Sequence, residues 1–467
     1  MQLAASLKVN KQYKVVCFVD DVPNMWGRTI WDIPIKSRGF LNEKSKFDEI
    51  LLAKPSLTKQ EIRGIVEDSK KIGISILQIP SIEDLTSGIQ TIDSLRPVPI
   101  EELLGRDLIT AKLDNIKPHI EGKSICVTGG GGSIGKELCK QILKLKPKKL
   151  IIFENNEPSL YAIHQELSEK VHEKVDIYPV LGSAQNLSLL QNVFKKNNVS
   201  IVFHAAAYKH VPIVEKNPIS GILNNVFSTK VVCDAALNSS IKQIILVSTD
   251  KAVRPENIMG ASKRLAEMII QGFAEEERLK KIKNPNYDMK LFSMVRFGNV
   301  LASSGSVVPL FKKQIANGGP ITLTHKDIVR YFMTITEAVN LVLNSATMAE
   351  GGDVFLLDMG EPIKIYSLAE QMIKLSGLTI KSPNNPKGDI EIIETGLRPG
   401  EKLFEELLLN AKAQPSSHPL IFKGIEDYIP KNILLEKLKT LYIHLNNDDI
   451  KKSLETLSEL VPEWKRL

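Results

Sequence analysis

Residues 125–135 read Ile-Cys-Val-Thr-Gly-Gly-Gly-Gly-Ser-Ile-Gly, and no other stretch narrows the folds open to this chain so sharply. An apolar, β-rich run from Ser124 to Val127 enters the glycine cluster, and Lys136 to Leu143 leaves it with Ile134, Leu138 and Ile142 at helical spacing. That order is strand, tight turn, helix. Gly129, Gly132 and Gly135 form a G-x-x-G-x-x-G pattern. Missing side chains there let the backbone turn sharply, approach a pyrophosphate and pack the helix on the strand. The helix start at Ser133 and Ile134 offers free N–H groups and a positive dipole end to the phosphates.

The next apolar run is Lys149 to Phe153, and Glu154 follows it, 19 residues past Gly135 (154 − 135). A carboxylate at the tip of the second strand hydrogen-bonds the ribose hydroxyls of an adenosine and repels a 2′-phosphate. Asn155 and Asn156 come next, with no Arg or Lys close behind, which favours NAD over NADP.

From about 105 to 345 strand and helix alternate. The later strands are Asp176 to Leu181, Ile201 to His204, Ile244 to Ser248 and Leu291 to Arg296. Alternation of this kind builds a doubly wound parallel sheet whose ligands bind at the carboxyl ends of its strands. The domains expected are a small α/β domain at 1–97, a linker at 98–122, an NAD-binding Rossmann-like catalytic domain at 123–345, and a substrate-binding subdomain with C-terminal helices at 346–467. The opening Met1 to Leu7 reads as the body of an uncapped helix before the strand Tyr13 to Val19, so the small domain is expected to lack its first strand and glycine loop and to bind no dinucleotide. Ile33 to Ile35, Phe47 to Leu52, a helix over Lys59 to Lys71 and the strand Ile74 to Ile79 complete it.

Composition excludes several classes. The balance of 61 basic and 54 acidic residues gives +7, spread along the chain, so no nucleic-acid partner is inferred; Lys144 to Lys149 reads as a solvated helix end. The four cysteines, Cys17, Cys126, Cys139 and Cys233, sit in apolar segments without C-x-x-C spacing and read as reduced core residues of a cytoplasmic chain. No run of 18 apolar residues reads as a membrane span.

Polar groups gather after the strands. Phe203-His-Ala-Ala-Ala-Tyr-Lys-His puts Ala205 and Ala206 where a cofactor can lie on the backbone, and Lys209 and His210 at the same edge. Asn224 and Asn225 follow in a helix. Strand five runs into Ser248-Thr249-Asp250-Lys251, and Met259-Gly-Ala-Ser-Lys263 begins eight residues further on.

The glycine turn, the Ser-Thr after strand five and Lys263 four residues along a helix from Met259 resemble the extended short-chain dehydrogenase/reductase superfamily. With FHAAAYKHVPIVEKNP, STDKAVRPENIMGASKR, VRFGNVLASSGSVVPLF and GLRPGEKLFEELL, the chain resembles the CapD-like polysaccharide-biosynthesis branch, the UDP-N-acetylglucosamine 4,6-dehydratases, over nearly all its length. The resemblance implies NAD and a UDP-sugar, hydride removal from C4, loss of the C5 proton and of the C6 hydroxyl as water, and hydride return to C6. It implies Asp250 as acid, Lys251 as base, Thr249 at the C4 oxygen and Lys263 at the nicotinamide ribose. A basic Lys251 requires a pKa depressed toward neutrality. Met259 replaces the proton-transferring Tyr of the superfamily, as is usual in long members of this branch, and leaves the group that takes the C4 hydroxyl proton unassigned. Ser183 stands where an Asp often holds the adenine amino group. Arg296, Asn299, Ser303, Arg330 and Arg398, with Lys209, His210 and Asn225, are the candidate substrate contacts; two arginines can grip a diphosphate. No metal ligand set is expected. The resemblance also implies a homodimer or higher homo-oligomer formed through helices around Met259, and inner-membrane anchoring in related long forms. An epimerase or reductase on the same scaffold, and a non-catalytic NAD-binding regulator, are the alternatives; the retained Thr249, Asp250, Lys251 and Lys263 argue against the latter.

Overall fold

The computed structural model describes residues 14–43, 46–53, 61, 64–65, 74–78, 96–97, 115–169, 175–301, 303–406 and 413–464. The expected helix at Met1 to Leu7, nearly all of the one at Lys59 to Lys71, and most of the linker lie outside these residues.

The larger of two compact units comprises Ile109–Ser306, Ile328–Ile363 and Leu397–Leu467. Its strands are β1 (Ser124–Thr128), β2 (Lys149–Glu154), β3 (Asp176–Leu181), β4 (Ile201–His204), β5 (Gln243–Val247), β6 (Leu291–Arg296), β7 (Val354–Leu357), β8 (Ala413–Pro415) and β9 (Ile421–Gly424). They form one nine-stranded sheet in the order β8-β9-β7-β6-β5-β4-β1-β2-β3. The seven strands from β3 to β7 run parallel, and β9 pairs antiparallel with β7 and β8. The strand order reverses between β1 and β4, which opens a crevice beyond their carboxyl ends.

Both faces are covered, so β1 and β4 are buried at every position. One face carries α1 (Ser133–Lys144), α2 (Glu157–Ser168) and α6 (Ile335–Thr347), through Leu138, Ile142, Ile163 and Val342. The other carries α3 (Leu187–Lys196), α4 (Ser228–Leu237), α5 (Ile258–Lys283), α7 (Lys431–Asn446) and α8 (Ile450–Leu460), through Phe194, Val232, Leu265, Leu438 and Leu457. Local signals set the helix starts: Asn156, Asn186 and Asn257 accept the N–H three residues on, at 2.9, 3.0 and 2.7 Å. Every residue of α5 from Ile258 to Ala274 is buried.

The smaller unit comprises Met1–Leu108, Val307–Asp327 and Lys364–Gly396. Glu49–Leu52 pairs parallel with Ser75–Gln78, and Phe18–Val19 parallel with Ile33–Lys36. Leu52 and Ile76 pack with Ile50, Ile65 and Leu375. Ile321–Leu323 pairs parallel with Ile390–Glu394. The consecutive domains read from the sequence are thus replaced by two interleaved units. β7 and β9 return the chain to the large sheet, while 307–327 and 364–396 associate with each other outside it. Among the described residues no helix is long and apolar enough to cross a membrane, and no group of three or more His, Cys, Asp or Glu could hold a metal.

Candidate active site

Gly129 adopts φ +67°, and a Cβ there would lie 2.7 Å from Ala206 N, so the turn after β1 touches the turn after β4. A Cβ on Gly135 would lie 2.0 Å from Gly129 O, which lets α1 start directly against the loop. At Gly132 a Cβ would meet only Gly129 O, at 3.3 Å, so this exposed position is open to a ligand. Gly129 thus serves the sharp turn and Gly135 the packing of helix on loop. Ser133 and Ile134 form the first turn of α1, whose N–H groups have no partner earlier in the helix.

Glu154 is the last residue of β2 and only 8% exposed. Its Oε2 accepts Gly131 N at 2.9 Å and its Oε1 accepts Asn155 N at 2.9 Å and Asn156 N at 3.0 Å, which aims the carboxylate at the glycine loop. A cavity lined by Gly129, Gly132, Glu154, Gly182, Ala205 and Ala206 joins these turns, and among the described residues no Lys or Arg lines it. Tyr208 and Asn224 also line it and had not been assigned there. Ser183 borders Gly182 with its Oγ accepting Gln185 N at 3.2 Å. Behind the loop, His204 lies between Thr128 Oγ1 at 2.6 Å and Thr229 Oγ1 at 3.2 Å. Burial, with the nearby Lys263 charge, pulls this imidazole down to about 3 and keeps it neutral.

The second cluster follows β5. Thr249 caps a single turn, Asp250 to Ala252, and its Oγ1 donates to Asp250 Oδ1 at 2.8 Å. Asp250 is 2% exposed and its N–H donates to Phe297 O just past β6. Lys251 Nζ donates to Asp250 Oδ1 at 3.0 Å and to Asn299 Oδ1 at 3.2 Å. Thus Thr249, Asp250, Lys251 and Asn299 meet at one point. A Cβ on Gly260 would lie 2.2 Å from Lys251 O, so α5 packs its first turn, with the buried Met259, directly on this loop. Lys263, one turn on, donates to Val247 O at 2.8 Å. Burial pulls its ammonium down to about 8, against a smaller upward pull from Glu267.

Lys251 departs from expectation. Burial lowers its pKa, but Asp250 and Glu405 outweigh burial, and the net shift is upward. The upward shift favours an ammonium in the resting site, whereas a basic Lys251 requires a depressed pKa.

Arg296 is also corrected. It is fully buried, with Nε and Nη2 on Glu267 at 2.8 and 2.6 Å and Nη1 on Glu426 at 2.5 Å, so it belongs to the core and is closed to a diphosphate. Arg330 is turned toward its own chain, donating to Leu403 O at 3.1 Å and Lys402 O at 2.8 Å. Asn225 sits in a π-helical turn, Leu223–Phe227, and spends its amide on Tyr208 N and O and on Ser262 Oγ, tying the β4 loop to α5. Ser303 is buried, donating to Val300 O at 3.3 Å. Lys209, His210 and Arg398 are exposed, and the His210 ring lies over Gly305, 2.4 Å from where a Cβ would be. Sequence reasoning missed Glu405, which stands inside the GLRPGEKLFEELL string and reaches Lys251.

A glycine loop after β1, an acidic residue ending β2 and a Thr-Asp-Lys turn beside a buried helical Lys define a Rossmann-fold enzyme of the short-chain dehydrogenase/reductase class. Residues 125–425 match the model of the polysaccharide biosynthesis protein family, and the chain belongs to that family. It is 41% identical over 423 residues to the capsular polysaccharide biosynthesis protein CapD of Staphylococcus aureus, covering 89% of this chain and 68% of that one. It is 33% identical over 289 residues to UDP-N-acetylglucosamine 4,6-dehydratase (inverting) of Campylobacter jejuni, covering 62% and 78%. A UDP-glucose 4-epimerase of Rickettsia rickettsii is 32% identical over 290 residues, covering 61% and 77%. Among solved structures, Pen from Bacillus thuringiensis matches with a TM-score of 0.56 and 31% identity over 66% of this chain and 90% of that one.

Proposed function

We propose that this protein is an NAD-dependent sugar-nucleotide 4,6-dehydratase acting on a UDP-hexosamine, UDP-N-acetylglucosamine first among them, for surface polysaccharide or glycan synthesis. The observation that carries the reading is the meeting of Thr249, Asp250, Lys251 and Asn299 at the end of β5, beside Lys263. A proton acid and a proton base are then available at one carbon chain, as elimination of water requires and simple hydride transfer does not.

The residues fit NAD. Gly129, Gly132, Gly135 and the first turn of α1 would take the pyrophosphate, Glu154 the adenosine ribose, Ala205 and Ala206 the flank, and Lys263 the nicotinamide ribose. When bound, NAD supplies the hydride acceptor for C4 and the donor for C6.

Thr249 holds the C4 oxygen. One proton shift along the 3.0 Å contact from Lys251 Nζ to Asp250 Oδ1 produces both catalysts at once: an amine to take the C5 proton, and a carboxylic acid to protonate the departing C6 hydroxyl. Arg398, Lys209 and His210 remain exposed for the nucleotide end of the substrate.

Proton NMR with UDP-N-acetylglucosamine and catalytic NAD in deuterated water tests this. A 6-methyl signal with deuterium at C5 is expected, and Lys251→Ala abolishes the exchange. A C4 epimerase is the second reading, favoured by the similarity to the Rickettsia enzyme. It would yield the C4 epimer without C5 exchange, and that outcome would replace the dehydratase.

A further inference from the structure

The segment 398–406 is strapped onto the catalytic loop. Asn257 Nδ2 donates to Gly400 O at 2.9 Å, Lys402 Nζ donates to Val253 O at 3.0 Å, and Arg254 Nη1 grips both oxygens of Glu406 at 3.2 and 3.1 Å. Gly400 has φ +71°, and a Cβ there would lie 2.8 Å from Glu256 O and from Asn257 Cβ, so the two backbones lie in contact. Arg330 anchors the strap from beneath through Lys402 O and Leu403 O, and Leu403 O also accepts Val329 N at 3.0 Å. The strap delivers one side chain into the site. Glu405 Oε1 lies 3.8 Å from Lys251 Nζ and 3.8 Å from Arg330 Nη2, and its buried Oε2 has no hydrogen-bond partner among the described residues.

An unpartnered carboxylate oxygen is costly to bury, and folds tolerate it chiefly where the group has work to do. Resting on the dehydratase reading, we propose that Glu405 is a positioning residue for the base: the strap inserts it beside Lys251 so that its charge sets when that amine can give up its proton. Asp250 and Glu405 face the ammonium as carboxylates, Asn299 is its neutral partner, and Arg330 is the other nearby cation. Glu405 in turn faces Lys251, Asp250, Arg330 and Lys402. Burial first, then Asp250, push its carboxyl above the ordinary range against the pull of the three cations. Ionised, Glu405 holds Lys251 charged. Carrying its own proton, it releases Lys251 to pass a proton to Asp250. No bond to the substrate is made by Glu405 itself.

The test is Glu405→Gln, which keeps the shape and removes the charge. The pH limb along which C5 exchange rises as Lys251 loses its proton should move to lower pH by about one unit, as expected for an opposite charge lost within 4–6 Å. A limb at its wild-type position overturns the proposal. Glu406→Gln loosens the same strap at Arg254 without touching Lys251 and should leave the limb in place; an equal shift in both variants makes the effect one of strap packing and also overturns it. If the Gln variant does not fold, Glu405→Asp carries the test, with a smaller shift in the same direction expected and an unmoved limb refuting. The pH dependence of Lys251 acetylation by acetic anhydride, read by peptide mass spectrometry, gives the same titration without substrate. Failure of the wild type to make product therefore sinks the dehydratase reading alone, and an unshifted acetylation curve in Glu405→Gln sinks this one alone.

Discussion

Glu267→Gln probes the ion cluster behind the site. Glu267 is fully buried and takes hydrogen bonds from Ser248 Oγ at 2.6 Å and from Arg296 Nε and Nη2 at 2.8 and 2.6 Å, with Arg264 Nη1 at 3.5 Å. A glutamine keeps the volume but turns an amide donor toward a guanidinium donor, leaving buried groups unsatisfied. Breaking a buried pair from one side costs about 3–5 kcal/mol, so urea unfolding should show that loss at pH 7. Circular dichroism follows the whole chain, while the blue-shifted part of the emission, from Trp464, 3% exposed in the same core cluster as Leu265 whereas Trp26 and Trp31 are exposed, reports the larger unit. The pH dependence has a defined sign. Burial raises the Glu267 pKa, but Arg296, Arg264 and Ser248 outweigh it, and the net shift is downward. A depressed carboxyl contributes stability that is complete above its unfolded pKa of about 4.3 and is lost as pH falls through the lower folded value. The gap between wild type and Glu267→Gln should hold from pH 5 to 7 and close only below about pH 4. A gap under about 1 kcal/mol at pH 7, or one already closing between pH 7 and 5, would refute the assignment of Glu267 as a dry carboxylate paired on both oxygens.

Gly135→Ala and Gly132→Ala should separate the two uses of glycine. The first puts a Cβ 2.0 Å from Gly129 O and should destabilise by about 1–3 kcal/mol as well as abolish NAD binding in calorimetry; the second meets only a 3.3 Å neighbour and should weaken NAD with the midpoint of unfolding unchanged. For Lys263, whose ammonium is pulled down to about 8, the folded state releases its proton before the unfolded chain does. Relative to Lys263→Met, wild type should gain about 1.4 kcal/mol per pH unit above pH 8; parallel stability curves would contradict the burial of that charge.

The large sheet was legible because its signals are local. Strands β3, β4 and β6 begin and end where the apolar runs do, and Glu154 is identifiable by its spacing from Gly135. Arg296 was misread because its partners are remote. Glu267 is 29 residues away and Glu426 is 130, and nothing beside Arg296 in the sequence marks it as core. Lys263 and Glu267, four apart on α5, do put two charged groups on one face of a helix otherwise apolar there, which is the available hint of a buried network. Glu405 was hidden in a string read for its arginine. The interleaving of the smaller unit depends on short strands such as Ile321–Leu323 and Ile390–Glu394, whose pairing across some seventy residues no local pattern encodes.

The charges behind β5 and β6 are poorly explained by stability. Apolar residues of similar volume often serve as well as a buried ion pair or better, because desolvation offsets the Coulomb gain. What apolar residues would not do is fix directions. Glu267 holds Ser248, the residue before Thr249, and it holds Arg296, two residues before Gly298, where a Cβ would lie 3.2 Å from Asp250 Oδ2. The same cluster takes in Glu463 through Arg264 Nε at 2.7 Å, so the chain just beyond α8 is tied to the back of the Thr249–Lys251 turn. Phe297 O fixes Asp250 from β6, Gly260 seats α5 on Lys251, and the strap closes from the third side. In the proposed dehydration, where Lys251 and Asp250 exchange one proton, a separation near 3 Å must be kept while the substrate changes shape. Residues that hold Ser248 and Arg296 in place keep it, which accounts for a cluster whose net stabilisation alone would not.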